Sequence, residues 1–359
     1  MAANAKGKTT TGKTATPDKI KTIGVLTSGG DAPGMNAAVR AIVRSALAKN
    51  IRVKGIHGGY EGLMHKTIGT GAAKRDSIVE MNIHSVSNII GRGGTILHSA
   101  RSKEFNTPKG VEKGARRCRQ EGIDGLIVIG GDGTFRGAGD LSQHGIKTIG
   151  IPGTIDNDIP STDFTLGYDT ALNTIIESVD RLRDTMEAHH RCSVVEVMGN
   201  KCGDLALNSA IATGAVAVLI PEVSHNLDKD VVARIKKSMR TGKRHFIVIV
   251  AEGVTGTRSN ETSVRSAAEI AAYIEMHTEI ESRATVIGHV QRGGSPTARD
   301  RILAAQMGYY AVDLLLGGKS QQVVAIRDNK ITNLAFDVAL TMKSEVDKKL
   351  LKIVNQISI

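Results

Sequence analysis

The chain has 359 residues, 40% of them hydrophobic and 23% charged, and a formal net charge of +11. That length can bury a large core and favours two lobes over one domain. Aromatics at 3%, with no Trp, leave little material for stacking bases, so we expect no nucleic-acid partner, and no apolar run is long enough to span a bilayer.

The first 21 residues are small, polar and without periodicity, and their five Lys and one Asp contribute +4 of the charge. They are expected to be a disordered tail. The N-terminus lacks the apolar core of a secretory signal and carries Lys where a transit peptide would favour Arg, which points to the cytoplasm. Cys118, Cys192 and Cys202 form no CxxC pair, so reduced thiols are expected rather than disulfides or zinc.

From residue 22 the pattern becomes strand, turn, helix. The run "TIGVL" reads as a buried strand and leads into "TSGGDAPGMN", where Gly29, Gly30 and Gly34 would let backbone approach a phosphate ahead of a helix N-terminus. A tight turn alone would also explain the glycines. A helix follows, with Met35, Val39, Ile42, Val43 and Ala46 on one face, and then the strand "RVKGIH".

The strand "GLIVIG" runs into "GGDGTF", where Asp132 stands between Gly131 and Gly133. A hard carboxylate in an exposed loop suits Mg²⁺ bridging the phosphates of a nucleotide, while bare glycine N–H groups contact the oxygens. The strand "TIGIP" leads into "PGTIDND". Asp156 and Asp158, two apart in an extended segment, would point the same way and repel, raising the proton affinity of one as a general base for a sugar hydroxyl requires. Thr154 can hydrogen-bond a substrate oxygen.

A helix through Ile175, Val179 and Met186 follows, then the strands "CSVVEVM", "AVAVLIP", "FIVIVAE" and "ATVIGHV". The last leads into "GHVQRGGSP" with His289 and Arg292, while Arg191 and Arg283 each open a strand. Guanidinium groups bind phosphate bidentately, so such a set suits an anion site. The helix "DRILAAQMGYYAVDLLL" and the strand "QVVAI" complete the pattern. Alternating strands and helices call for parallel sheets covered on both faces, and nine such runs for two sheets. The parts together, a metal carboxylate, cations and a second acidic loop, are those of phosphoryl transfer.

"GVLTSGGDAPGMNAAVR", "RGGTILHSAR", "IGGDGT", "PGTIDND", "SVVEVMG" and "ATVIGHVQRGGSP", in this order, resemble the bacterial 6-phosphofructokinases from residue 22 to the C-terminus. The resemblance implies an α/β fold of two Rossmann-like lobes, residues 22–167 with 292–341 binding ATP and residues 168–291 with 342–359 binding fructose 6-phosphate. It implies transfer of the γ-phosphate of ATP to the 1-hydroxyl of that sugar, with Asp156 as general base, Thr154 and Arg101 beside it, and Asp132 on Mg²⁺. Gly30, Arg101, Ser102 and Gly131 to Thr134 match nucleotide contacts. Thr154, Asp158, Met198, Gly199, Asn200, Glu252, His289 and Arg292 match sugar-phosphate positions. Arg191 and Arg283 match a pair lent by a neighbouring subunit, which implies a homotetramer.

Pyrophosphate-using relatives usually carry Asp and Lys where this chain has Gly133 and Gly153; glycine leaves room for an α-phosphate, so ATP is the expected donor. There are departures too. Asn200 replaces the family's Arg, which weakens the expected rate and leaves a binding subunit as the alternative, and another acceptor such as sedoheptulose 7-phosphate is also open. Arg40, Arg44, Arg183 and Lys243 match an effector site, but Ile83, Val216 and Thr241 replace its Arg, acid and Lys, which argues against control by ADP or phosphoenolpyruvate.

Overall fold

The computed structural model describes residues 20–255, 266–343 and 346–357. All but the last two residues of the expected N-terminal tail lie outside the described residues, and Ile20 is already packed into the core.

The strands are Thr22–Thr27 (β1), Arg52–Ile56 (β2), Thr67–Ile68 (β3), Arg75–Asp76 (β4), Ile78–Met81 (β5), Gly125–Gly130 (β6), Lys147–Pro152 (β7), Cys192–Val197 (β8), Ala217–Leu219 (β9), Phe246–Ala251 (β10), Ser282–Val286 (β11), Gln322–Arg327 (β12) and Lys330–Ala335 (β13). The α-helices are Met35–Ala48 (α1), Gly59–Met64 (α2), Pro108–Gln120 (α3), Asp132–Gln143 (α4), Tyr168–His189 (α5), Asp204–Thr213 (α6), Ala233–Arg240 (α7), Glu252–Thr255 (α8), Ala267–Thr278 (α9), Ala298–Leu316 (α10), Phe336–Thr341 (α11) and Lys348–Ile357 (α12).

A seven-stranded sheet has the order β13-β12-β7-β6-β1-β2-β5, parallel except for its two edge strands. A four-stranded sheet, β11-β8-β10-β9, is parallel throughout. Parallel strands are buried on both faces, so successive side chains serve different cores. Ile127 and Ile129 of β6 join Ile23 and Val25 of β1 on the face covered by α1 and α10, while Leu126 and Val128 join Leu26 under α3 and α4. Gly308 of α10 permits the close crossing of α1, since a Cβ there would stand 2.8 Å from that of Ala41.

Both sheets have a switch point, where connections leave in opposite directions and a crevice opens beyond the carboxyl ends of the strands. In the large sheet it lies between β1 and β6, and in the small one beside β8. Cys118, Cys192 and Cys202 are buried and free, as expected. Among the described residues no helix is long and apolar enough to cross a membrane.

Candidate active site

Behind β1 the chain turns through Gly29 (φ 88°) and Gly34 (φ 99°), conformations in the left-handed region that only glycine adopts freely. Gly30 lies under Arg292: a Cβ there would stand 2.7 Å from Nη1 of that side chain, so the guanidinium, which donates to the Asp31 carbonyl at 3.2 Å, would have to shift. Ser99 Oγ donates to the Gly29 carbonyl, which draws the segment before Arg101 and Ser102 against this turn. Asn36, fully buried, holds the same segment by donating to the Arg92 and Gly93 carbonyls and accepting from Ile96 N at 2.7 Å. Its position on the buried face of α1 had hidden that role in the sequence.

Asp132 is not in an exposed loop, as expected, but is the first residue of α4 and half-buried. Gly131 caps that helix in an extended conformation, and Thr134, buried, donates through Oγ1 to the Ser28 carbonyl at 3.3 Å. Burial pushes the Asp132 carboxyl above its usual range, with Arg136 acting against it. Helix N-termini welcome a carboxylate or phosphate because their first N–H groups are free.

Beyond β7, Asp156 and Asp158 are not joined by extended backbone, because Asn157 between them is left-handed at φ 51°. Its side chain explains the turn: Oδ1 accepts from Thr165 N at 3.1 Å and Nδ2 donates to Asp204 at 3.1 Å. Asp156 is 8% exposed and its Oδ1 has no hydrogen-bond partner among the described residues. Burial raises its proton affinity most, Arg292 opposes this, Glu252 adds to it, and Thr154 and Arg101 oppose it further. Asp158 is pushed up to about 6, by burial first and then by the charges of Asp156 and Asp132. Three carboxylates thus sense one another without an ion pair to any of them among the described residues. Their oxygens do not all lie within 4.8 Å of one another; among the described residues the group at that spacing is Glu61, His65 and Glu104, so Asp132 stands as a single carboxylate at its helix N-terminus.

The small sheet supplies the opposite wall. After β8, Gly199 (φ 139°) and Asn200 (φ 56°) turn back, and the N–H groups of both donate to Glu252 Oε1, at 3.2 and 2.7 Å. Asn tolerates the left-handed region better than Arg does, so Asn200 suits this turn. The strand expected in "ATVIGHV" ends at Val286, and Gly288–Arg292 form a 3₁₀ turn instead. Gln291, fully buried, ties this turn to the other loop: Oε1 accepts from Met198 N at 3.1 Å and Nε2 donates to the Gly288 carbonyl at 3.0 Å. Nothing in the sequence pattern had singled it out.

These walls enclose a cleft of about 480 Å³ lined by Gly30, Asp31, Arg101, Asp156, Met198, Asn200, Glu252, His289 and Arg292. The sequence-derived set is therefore brought together in large part, with Thr154 and Asp158 on the adjoining loop and Asp132 at the start of α4. Arg191 and Arg283 meet each other instead, sharing Glu281 at 2.6 and 2.5 Å where β8 and β11 begin, the ends of those strands away from the cleft. Arg183, which donates to the Thr213 carbonyl, lies near Lys243, and burial with that positive neighbour lowers the lysine's proton affinity. Arg40 and Arg44 lie one turn apart on α1. Ile83 is exposed, Thr241 is exposed and Val216 is buried.

Gly133 and Gly153 have different surroundings. A Cβ on Gly133 would meet nothing within 4 Å, whereas one on Gly153 would stand 2.9 Å from Ile129 Cγ2 and 3.2 Å from Met35 Cε. Close packing therefore accounts for Gly153 without reference to any donor.

The two doubly wound sheets, with glycine turns, acidic loops and cations at one cleft, define an α/β protein built to hold phosphorylated ligands at its strand switch points. Residues 22–315 match the phosphofructokinase family, and the chain belongs to it. It is 50% identical over 339 residues to a protein of Clostridium botulinum named ATP-dependent 6-phosphofructokinase, covering 94% of this chain and all of that one. A protein of the same name from Brevibacillus brevis is 49% identical over 340 residues, with 95% and 100% covered. Among solved structures, phosphofructokinase from Saccharomyces cerevisiae superposes with a TM-score of 0.81 at 32% identity, covering 94% of this chain. The chain spans 48% of that yeast chain.

Proposed function

We propose that this protein is an ATP-dependent 6-phosphofructokinase, which transfers the γ-phosphate of ATP to the 1-hydroxyl of fructose 6-phosphate and releases ADP and fructose 1,6-bisphosphate. The observation that carries the chemistry is the buried Asp156 carboxylate, one oxygen of which has no hydrogen-bond partner among the described residues, in a cleft that sets Arg101, His289 and Arg292 beside the acids Asp31 and Glu252.

Asp156 Oδ1 accepts the proton of the attacking hydroxyl. Burial and the Glu252 charge raise its affinity for that proton, while the Arg292 and Arg101 charges oppose that rise. The backbone N–H groups at Gly30 and Gly131 to Gly133, with Thr134, Arg101 and Ser102 beside them, hold the phosphate chain, and Asp132 would hold Mg²⁺ there. When bound, the metal neutralises charge on the transferred phosphoryl group. Thr154, Asp158, Met198, Gly199, Asn200 and Glu252 orient the sugar, and His289 and Arg292 take its 6-phosphate.

Arg191 and Arg283, remote from the cleft of their own chain, serve the cleft of a neighbouring subunit, in a homotetramer. Residues 22–167 with 292–341 form the nucleotide lobe and residues 168–291 with 342–359 the sugar-phosphate lobe. That division is supported by the seven-stranded sheet falling wholly within the first and the four-stranded sheet within the second.

Coupled assays with fructose 6-phosphate and either ATP or pyrophosphate, across a panel of sugar phosphates, test the reading. Turnover with ATP and fructose 6-phosphate is expected; turnover confined to pyrophosphate or to another sugar overturns it.

A further inference from the structure

Away from this cleft, and sharing no lining residue with it, an open groove of about 650 Å³ runs along the outer face of α3. Its wall carries Lys66, Lys109, Lys113, Arg116 and Arg117 against only Glu104 and Glu112. The order along the helix is unfavourable for an isolated surface: Lys109, Lys113 and Arg117 recur at i, i+4 and i+8, where like charges repel. Two of these cations are locally answered, Lys113 by Glu104 at 2.9 Å and Arg117 by Glu121 at 2.9 Å. Lys109 and Arg116, both exposed, have no ion pair or hydrogen bond among the described residues and point their charge along the same groove.

We infer that this groove is a second anion site, separate from the catalytic cleft, which takes a polyphosphate chain. The volume is that of an ordinary small-molecule site. The two unanswered cations, Lys109 and Arg116, stand seven residues or about 10 Å apart along the helix, a spacing that suits the two ends of an extended chain of phosphates better than a single one. Arg116 supplies a planar fork, and the lysines supply mobile point charges. The groove also adjoins the nucleotide segment, since Glu104 on its wall follows Arg101 and Ser102, and Ser102 Oγ accepts from Phe105 N at 3.1 Å.

The test is calorimetric titration of the full chain with inorganic tripolyphosphate, after saturating the catalytic cleft with fructose 6-phosphate and a non-hydrolysable ATP analogue. One further binding event per chain is expected. In Lys109→Glu/Arg116→Glu its Kd rises at least tenfold, and in Lys109→Gln/Arg116→Gln by a smaller factor. Both variants keep kcat/KM for ATP within twofold of the parent when tripolyphosphate is absent, which shows that they fold. A nucleoside triphosphate offered in place of tripolyphosphate identifies the source: tighter binding assigns the site to nucleotides, equal binding to the bare chain. Absence of the second event overturns the inference, as does equal weakening by Lys319→Glu, a charge change at an exposed turn outside the groove. Absence of turnover in the parent chain would count against the proposed reaction instead, so the two failures are separable.

Discussion

Replacing Gln291 by methionine keeps the length of a fully buried side chain but removes both of its hydrogen bonds. The Met198 N–H and the Gly288 carbonyl lose their partner in that side chain, and an unpaired buried polar group costs about 1–3 kcal/mol. The bond to Met198 spans 93 residues of sequence and ties the loop of Met198 to Asn200 to the turn of His289 and Arg292, while the bond to Gly288, three residues away, braces that turn itself. Part of the cost, about 2–6 kcal/mol if nothing relaxes, will appear as lost stability and part as misplacement of these loops. The nucleotide turn is held by its own bonds to Ser99 and Thr134. Steady-state kinetics on ATP and fructose 6-phosphate should therefore show KM for the sugar raised about tenfold or more, with KM for ATP changed less than threefold. Gln291→Glu keeps the acceptor for Met198 but sets an oxygen against the Gly288 carbonyl, and should fall between. Lower thermal stability with both KM values unchanged would refute the argument, for then Gln291 only fills the core.

Asp156→Asn should lower kcat by about 10²–10⁴, the range for a lost general base, while equilibrium binding of fructose 6-phosphate stays within a few-fold; near-normal turnover removes Asp156 from that role. Gly133→Asp has open space for its side chain, so melting temperature should hold within a degree or two while KM for ATP rises steeply; an unchanged KM discards the argument from α-phosphate repulsion. Asp158→Asn tests linkage in metal-free, unliganded protein. The folded carboxyl, at about 6 against the usual 3.8, favours the fold below about pH 4 and loses that contribution as pH rises through 6. The variant should therefore gain up to about 3 kcal/mol over the parent at pH 8 and nothing at pH 4. A pH-independent difference in melting temperature contradicts the assignment.

The sequence made the buried centre of the fold legible and its margins much less so. The runs at Thr22–Thr27, Gly125–Gly130 and Phe246–Ala251 are buried on both faces, so they read as unbroken apolar stretches. Lys330–Ala335 and Ile78–Met81 are antiparallel edge strands, half solvated, and their mixed composition resembles loop. Asp132 was visible from its glycines, yet its helical position depends on Gly131 as a cap. The turn at Asn157 and the clamp at Gln291 were invisible for one reason: each is fixed by a polar partner remote in the chain or by a backbone angle, and neither leaves periodicity behind.

The guanidinium of Arg292 stands at the junction of the two walls, bonded to the Asp31 carbonyl on one side and carried by the turn of His289 on the other. On the proposed assignment fructose 6-phosphate would order this side chain, and a nucleotide seated behind Gly30 would then bind without that part of the ordering penalty. By thermodynamic reciprocity each substrate strengthens the affinity for the other by the same factor, so the order of addition leaves the ternary complex unchanged while altering how tightly each step holds.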